Sequence, residues 1–380
     1  MSATHRAGVV ALLGRPNAGK STLLNRLVGE KLAIVTPKPQ TTRSRVLGIV
    51  SRPQAQILLL DTPGFHGGSR ALDRALARVV EEVVNDCDAA LLLVDPVCGW
   101  DAAHEELRAR LQRRGAPVQV VATKADRGVA CPELPAHHTI SARTGEGLEA
   151  LVEALVACLP ESPPLHDPEL LTDRPLRFLV AELVREAVFQ ELAQEVPYET
   201  AVEVVAFDER SRPDLVTIRA HLIVEHTSQK GIVLGRGGAR IKAIGQQARP
   251  GIEALLGRHV FLDLWVKVEP RWTRKPRRLQ ALGYGGELGG GAPRGRVLER
   301  PGARRGHLAT GACRPRRWVP SSATLRRSHS AWARASPAIR CASAFQCPWQ
   351  GPERSKPWTQ RPFASAHARS RGARASSGIP

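Results

Sequence analysis

A chain of 380 residues with 42% hydrophobic and 24% charged side chains has room for two or three domains and enough apolar residues to bury a core in each. No apolar run approaches the roughly 18 residues of a spanning helix. The N-terminus carries no signal-peptide stretch, so a cytoplasmic location is expected. The net charge of +19 has the sign of a nucleic-acid binder but is unevenly spread: Leu288–Pro380 holds 18 basic residues against two acids, Glu299 and Glu353, while residues 1–287 hold 37 against 34. Seven cysteines without a CxxC pair fit reduced thiols and exclude a disulfide framework.

The first element, Gly8–Leu13, reads as a short buried strand. It runs into Gly14-Arg15-Pro16-Asn17-Ala18-Gly19-Lys20-Ser21 and then into the helix-like stretch Thr22–Glu30. This is GxxxxGK(S/T) between a strand and a helix. Glycines let backbone N–H groups face a phosphate, and the helix N-terminus favours negative charge. Lys20 would reach the terminal phosphates and the Ser21 hydroxyl would ligate Mg²⁺. A second strand, Gln56–Leu60, ends at Asp61-Thr62-Pro63-Gly64, where a carboxylate can hold Mg²⁺ through water and a glycine N–H can meet a γ-phosphate. A third, Ala89–Val94, precedes Asp95-Pro96. A fourth, Pro117–Ala122, ends at Thr123-Lys124-Ala125-Asp126. A carboxylate there can accept both N1–H and N2–H of guanine, a donor pair that adenine lacks. After a strand-like His138–Ile140, Ser141-Ala142 stand where they can cover the base.

In this order and spacing the boxes resemble TRAFAC-class GTPases, and Pro39-Gln40-Thr41-Thr42-Arg43 narrows the resemblance to the Era family. That resemblance implies a GTP/GDP site formed by residues 14–21, 61–65, 123–126, 141 and 142. It implies a switch I at Gln40, Thr41, Thr42 and Arg43, in which Thr42, with Thr41 as alternate, joins Ser21 and Asp61 at Mg²⁺. It also implies a potassium ion helped by Asn17. Two features depart from the family. Thr123 replaces the usual Asn of NKxD, and only Arg127–Ile140 separates TKAD from Ser141, so a flanking helix should be reduced or absent. Phe65 stands where signalling GTPases orient water with Gln, so turnover should be slow.

Leu159–Pro175 contains five prolines and reads as a stiff connector between domains. Beyond it, Leu176–Gln194 is amphipathic, Ala201–Phe207 and Leu215–Val224 alternate as strands, a helix should follow Gly238, and Val260–Val268 is a last strand. The order is α-β-β-α-α-β, with Gly235-Arg236-Gly237-Gly238 between two helices. A GxxG turn of this kind clamps about four single-stranded nucleotides in KH domains. Lys230, Arg236, Arg240 and Lys242 offer charge to phosphates, and Ile232 and Ile241 can line a groove for unstacked bases. Pro250 lies inside the helix expected over Ala239–Leu256 and predicts a kink or break there.

The expected architecture is therefore α/β: a P-loop GTPase domain at 7–160 with a mostly parallel sheet and helices on both faces, then a Pro-rich linker at 161–175. Residues 176–287 resemble the type II KH domain of the same family, which implies an α+β domain there, and an Arg-rich disordered tail follows at 288–380. The resemblance fades at Leu282-Gly283-Tyr284-Gly285. The tail reads either as a cationic arm for RNA or as out-of-frame translation of GC-rich DNA, a non-native extension. His104, His137 and His138 read as surface histidines. Cys87, Cys98, Cys131 and Cys158 read as buried or idle thiols. Trp265 and Trp272 read as packing residues. Arg271, Arg274, Lys275, Arg277 and Arg278 form either a solvated helix face or an rRNA contact. The resemblance implies a monomeric, slowly hydrolysing switch that binds the 3′ region of small-subunit (16S) rRNA and assists 30S subunit assembly, and it allows a peripheral membrane pool. Two rivals stand beside it: an RNA-binding assembly factor with a structural, barely hydrolysed nucleotide, and a related GTPase acting on another RNA.

Overall fold

The computed structural model describes residues 4–38, 41–64, 71–192, 196–284 and 297–299. The first half runs β1 (Arg6–Gly14), α1 (Lys20–Val28), β2 (Val46–Arg52), β3 (Ala55–Asp61), α2 (Ala71–Asp86), β4 (Ala89–Val94), α3 (Ala102–Arg113), β5 (Val118–Ala122), β6 (His138–Thr139) and α4 (Leu148–Cys158). Its sheet has the order β2-β3-β1-β4-β5-β6, parallel except for β2. The apolar runs are continuous because helices cover both faces. Alternate residues of β1 serve opposite sides. Val10 and Leu12 pack with Leu23 and Leu24 of α1 and Leu151 and Leu155 of α4, whereas Val9, Ala11 and Leu13 pack with Val83 and Val84 of α2 and Leu111 of α3. Each fully buried aliphatic side chain contributes about 1.5–3 kcal/mol of transfer free energy. β1 lies between β3 and β4, so the strand order reverses at its carboxyl end, the place where open α/β sheets bind ligands. Between β5 and β6 only a 3₁₀ turn, Ala125–Arg127, is present and no α-helix, as the short interval requires.

The second half comprises β7 (Leu170–Pro175), α5 (Leu176–Glu191), β8 (Ala201–Asp208), β9 (Leu215–Val224), α6 (Thr227–Leu234), α7 (Ala239–Leu256), β10 (His259–Val268), α8 (Pro276–Ala281) and β11 (Val297–Glu299). From α5 to β10 the order is the expected α-β-β-α-α-β. The sheet reads β10-β9-β8, with β9 parallel to β10 and antiparallel to β8. Its core joins Val216, Ile218, Ala220 and Leu222 of β9 to Val184 and Val188 of α5 and Ile244, Ala248 and Ile252 of α7.

Three expectations change here. The stiff connector ends in a strand rather than remaining a linker throughout: residues 170–175 are β7, which pairs antiparallel with β11. Val297–Glu299 therefore do not belong to a wholly disordered tail; residues 300–380 lie outside the described set. α5 is not simply amphipathic. Leu176 and Leu179 join the first core and Val180, Leu183 and Val184 the second, so the helix is buried nearly all round between two sheets.

Pro250 does not break α7, which runs unbroken over Ala239–Leu256. Gln246 and Pro250 are exposed, so water can satisfy the carbonyl that lacks its N–H partner, while Ile244, Ala248 and Ile252 keep the helix on the core. Pro250→Ala should therefore raise stability, by up to about 3 kcal/mol, in urea unfolding. An unchanged midpoint would mean that the proline is already fully accommodated. No helix of the described residues is long and apolar enough to cross a membrane.

Candidate nucleotide site and nucleic-acid interface

The loop after β1 is shaped by residues that leave no alternative. Gly14 has φ +151°, and a Cβ there would lie 2.4 Å from the Leu93 carbonyl oxygen. Asn17 (φ 62°) and Gly19 (φ 93°) are left-handed and curl the chain onto the N-terminus of α1, which no side chain caps. Such an end favours an anion. Asn17 Nδ2 donates to the Pro37 carbonyl at 2.9 Å and so ties the loop to the following segment. Arg15 pairs with Asp101, the residue that caps α3. Ala18 is buried beneath the loop. Lys20 is only 5% exposed, and its Nζ donates to the carbonyls of Gly14 (3.0 Å) and Arg15 (2.9 Å). Burial lowers its pKa to about 8, against the opposing pull of Asp61.

Asp61, at the carboxyl end of β3, faces this loop. Its Oδ2 accepts from Ser21 Oγ at 2.6 Å and from Thr42 Oγ1 at 3.4 Å, and the two hydroxyls stand 3.0 Å apart. Its Oδ1 is buried with no partner. Burial raises the Asp61 pKa to about 6, with Lys20 opposing. Two hydroxyls and one carboxylate, one of whose oxygens is buried and unsatisfied, make a hard oxygen donor set that suits Mg²⁺. Thr62 Oγ1 donates to the Leu12 carbonyl at 2.7 Å, Pro63 is buried, and a Cβ on Gly64 would meet Pro16 N at 2.5 Å. Asp61–Gly64 is thereby pressed onto the loop after β1.

At the carboxyl ends of β5 and β6, Ser141 Oγ donates to Asp126 Oδ1 at 2.6 Å and Arg143 Nε lies 3.0 Å from Asp126 Oδ2. These two groups, Ser141 first, hold the Asp126 carboxyl below its usual range. Thr123 spends its hydroxyl on the Val94 carbonyl at 3.1 Å. Lys124 is left-handed (φ 60°) and pairs with Asp95 Oδ2 at 2.5 Å. The Ala125 N–H donates to the Ile140 carbonyl, and Ala142 packs on the first core. Asp95 and Arg143 were given no role from the sequence. Asp95 carried a usable signal, since it ends an apolar strand on the same edge as Asp61 and Thr123.

Gln40 and Phe65 lie outside the described residues. Of the two candidate switch threonines, Thr42 turns its hydroxyl to Ser21 and Asp61, whereas Thr41 Oγ1 donates to the Lys38 carbonyl at 2.7 Å. Arg43 does not reach the nucleotide cluster. It is buried and donates to the carbonyls of Pro197 (3.0 Å), Tyr198 (2.7 Å) and Thr200 (2.8 Å) in the second domain, where its charge finds three oxygens.

In the second domain the turn Gly235–Gly238 joins α6 to α7. Gly235 has φ +70°, and a Cβ there would lie 2.8 Å from Arg240 Cβ. Gly237 and Gly238 are also left-handed. Lys230, Arg236 and Lys242 are exposed around the turn. Arg240 is exposed as well, but its Nη1 bonds the Ile232 carbonyl at 2.9 Å and so ties α7 to α6. Ile232 is exposed, and Ile241 packs half-buried on the second core.

Trp272 is buried, with its indole N–H on the Glu199 carbonyl, as a packing residue should be. Trp265 is not: it is 59% exposed, because the alternation of β10 sends it to the face opposite α6 and α7. Arg278 is no free cation, being shared between Glu203 and Glu269. His104 is not a surface histidine. It is buried, stacks on Trp100 and bonds Asp101. Cys87 is buried and Cys98 exposed.

Comparison with known proteins agrees with this geometry. The family model described as "50S ribosome-binding GTPase" matches residues 9–124, and that described as "KH domain" matches residues 195–273. The GTPase Era of Geobacter metallireducens is 43% identical over 291 residues, covering 73% of this chain and 98% of its own length. That of Stenotrophomonas maltophilia is 42% identical over 294 residues, covering 74% and 98%. A crystal structure of Era in complex with MgGDPNP and nucleotides 1506–1542 of 16S ribosomal RNA superposes with TM-score 0.70 at 37% identity, covering 74% of this chain and 100% of that one. A variant of Aquifex aeolicus Era bound to GDP and aluminium fluoride does so with the same TM-score, identity and coverage. A glycine-rich loop before a helix, a Thr–Asp–Ser oxygen cluster and the Asp126 carboxylate at the carboxyl end of the sheet, followed by a GxxG domain, agree with relatives covered over nearly their whole length: this chain belongs to the Era family of GTPases.

Proposed function

We propose that the chain is a GTP-hydrolysing switch that binds the 3′ region of 16S rRNA and assists assembly of the small ribosomal subunit in the cytoplasm. GTP or GDP occupies the first domain (7–160), with Lys20 on the terminal phosphates, Gly14–Gly19 around them and Asp126 on the guanine edge. Ser21, Thr42 and Asp61 hold Mg²⁺, which supplies charge neutralisation at the β- and γ-phosphates. Guanine approaches Asp126 by displacing Arg143, whose side chain is 77% exposed and costs little to move. RNA lies along the Gly235–Gly238 turn of the KH domain (176–287), where Lys230, Arg236 and Lys242 meet phosphates. The observation that carries the reading is the meeting of Lys20, Ser21 and Thr42 with Asp61 at the carboxyl end of β3, in the family whose solved relative holds a magnesium–GTP analogue and 16S rRNA.

Because Thr42, among the described switch residues, faces the Ser21–Asp61 oxygen cluster while its neighbour Arg43 grips the second domain, RNA affinity should depend on the nucleotide. The full chain loaded with a non-hydrolysable GTP analogue should bind a 16S 3′-end oligonucleotide at least several-fold more tightly than the GDP form. Equal affinities in a titration of labelled RNA would remove the switch. Phosphate release with and without that RNA separates this reading from a purely structural nucleotide.

A further inference from the structure

The segment that carries Thr42 is held from the second domain at several points. Lys38 Nζ donates to the carbonyls of Phe189 and Leu192 near the end of α5. Arg185 of α5 donates through Nη1 to the Thr41 carbonyl at 2.6 Å and forms a two-pronged pair with Glu182 at 2.8 and 2.5 Å. Arg43 donates to the three carbonyls of residues 197–200 and lies over the rings of Phe189 and Tyr284, at 5.7 and 5.6 Å. Both guanidinium groups are essentially inaccessible to water. A buried ion pair such as Arg185–Glu182 adds little net stability relative to apolar packing, and the best-attested use of such pairs is to fix one arrangement among several. The arrangement fixed here is the backbone on either side of Thr42, whose hydroxyl stands 3.0 Å from Ser21 Oγ.

We propose that Arg185, oriented by Glu182, and Arg43 are positioning residues through which the second domain sets Thr42 for a nucleoside triphosphate and its divalent cation. The inference rests on the reading of Thr42 as a metal ligand in that site. A diphosphate has no γ-phosphate for Thr42 to serve, so the second domain favours triphosphate over diphosphate without touching either. By reciprocity, the triphosphate steadies the junction of α5 with the loop at residues 197–200.

The test uses the full chain with Arg185→Met, Arg185→Lys and the double variant Glu182→Gln/Arg185→Met, which leaves no buried unpaired carboxylate. Affinities for GDP and for a non-hydrolysable GTP analogue are measured with and without Mg²⁺. With Mg²⁺, Arg185→Met and the double variant should lose about ten-fold in affinity for the analogue, the worth of one charged hydrogen bond, and should keep GDP affinity. Arg185→Lys, which cannot bridge Glu182 and Thr41 together, should recover part of the loss. The deficit should shrink when Mg²⁺ is withheld. A wild-type ratio of analogue to GDP affinity in both Met variants overturns the proposal. So does an equal loss of both nucleotides together with the melting temperature in the single and the double variant, which would mark a merely structural pair. A wild-type chain with no preference for guanine nucleotides would instead defeat the nucleotide reading and this inference with it, so the two failures are distinguishable.

Discussion

Lys20→Met is expected to lose GTP binding by roughly a hundred-fold or more while the nucleotide-free protein unfolds no more easily than the parent. The two outcomes have one cause. Lys20 is buried and, among the described residues, bonded to two carbonyls, and desolvation brings its pKa from 10.5 to about 8. In linkage terms the folded state binds fewer protons than the unfolded state between those values, so stability rises with pH across that window. Below about pH 8 the buried charge is a cost of up to about 3 kcal/mol. Removing it relieves the cost, although Asp61 then loses its nearby cation and takes up a proton more readily. A triphosphate supplies the missing counter-charge, so binding near pH 8–9 should take up a proton, visible in calorimetry as a dependence of heat on the buffer. GTP affinity within ten-fold of the parent would sink the phosphate-loop assignment. A large loss of stability would show that the lysine is not strained in the empty site.

Asp126→Asn is expected to lose GTP by about a thousand-fold and to gain xanthosine triphosphate. The carboxylate offers two acceptors for the N1–H and N2–H of guanine. The amide offers one acceptor and one donor, which mismatches guanine and matches the N1–H and C2 carbonyl of xanthine. Ser141 already donates to Oδ1, and its bond keeps the group ionised, so it is the pattern of donors and acceptors that changes and not the placement of the side chain. Competition between the two triphosphates measures the effect directly. Unaltered GTP binding in Asp126→Asn would mean that the base is read elsewhere.

The buried junction between the domains explains why these sites are best tested in the whole chain. α5 gives residues to both cores, and its Arg185 and Glu182 reach the switch segment. A cut at the proline-rich connector would also remove β7, the strand that pairs with β11. Every measurement on Lys20 or Asp126 therefore reports on a chain whose switch segment is bonded to the second domain at Thr41 and Arg43.

What could be read along the chain was what depends on short range. Gly14–Ser21 carries its own turn geometry, the apolar runs of β1, β3, β4 and β5 are strands because both faces are covered, and the GxxG turn sits between two helices as its spacing requires. The boxes TKAD and Ser141 could be placed in sequence at the ends of neighbouring strands, but their bond to each other is a finding of the structure. β2 was missed although it pairs antiparallel with β3 across the two-residue turn Pro53-Gln54, a local hairpin. Tertiary structure alone decided the rest. Pro250 stays helical because its exposed side lets water satisfy the freed carbonyl while the opposite side is held by the core. In sequence Arg43 reads as part of switch I, and Arg185 carries no signal at all. They become the link between the halves only because residues 144 positions apart, Thr41 and Arg185, are brought within one hydrogen bond inside a dry junction, and a charge placed there must find oxygen partners.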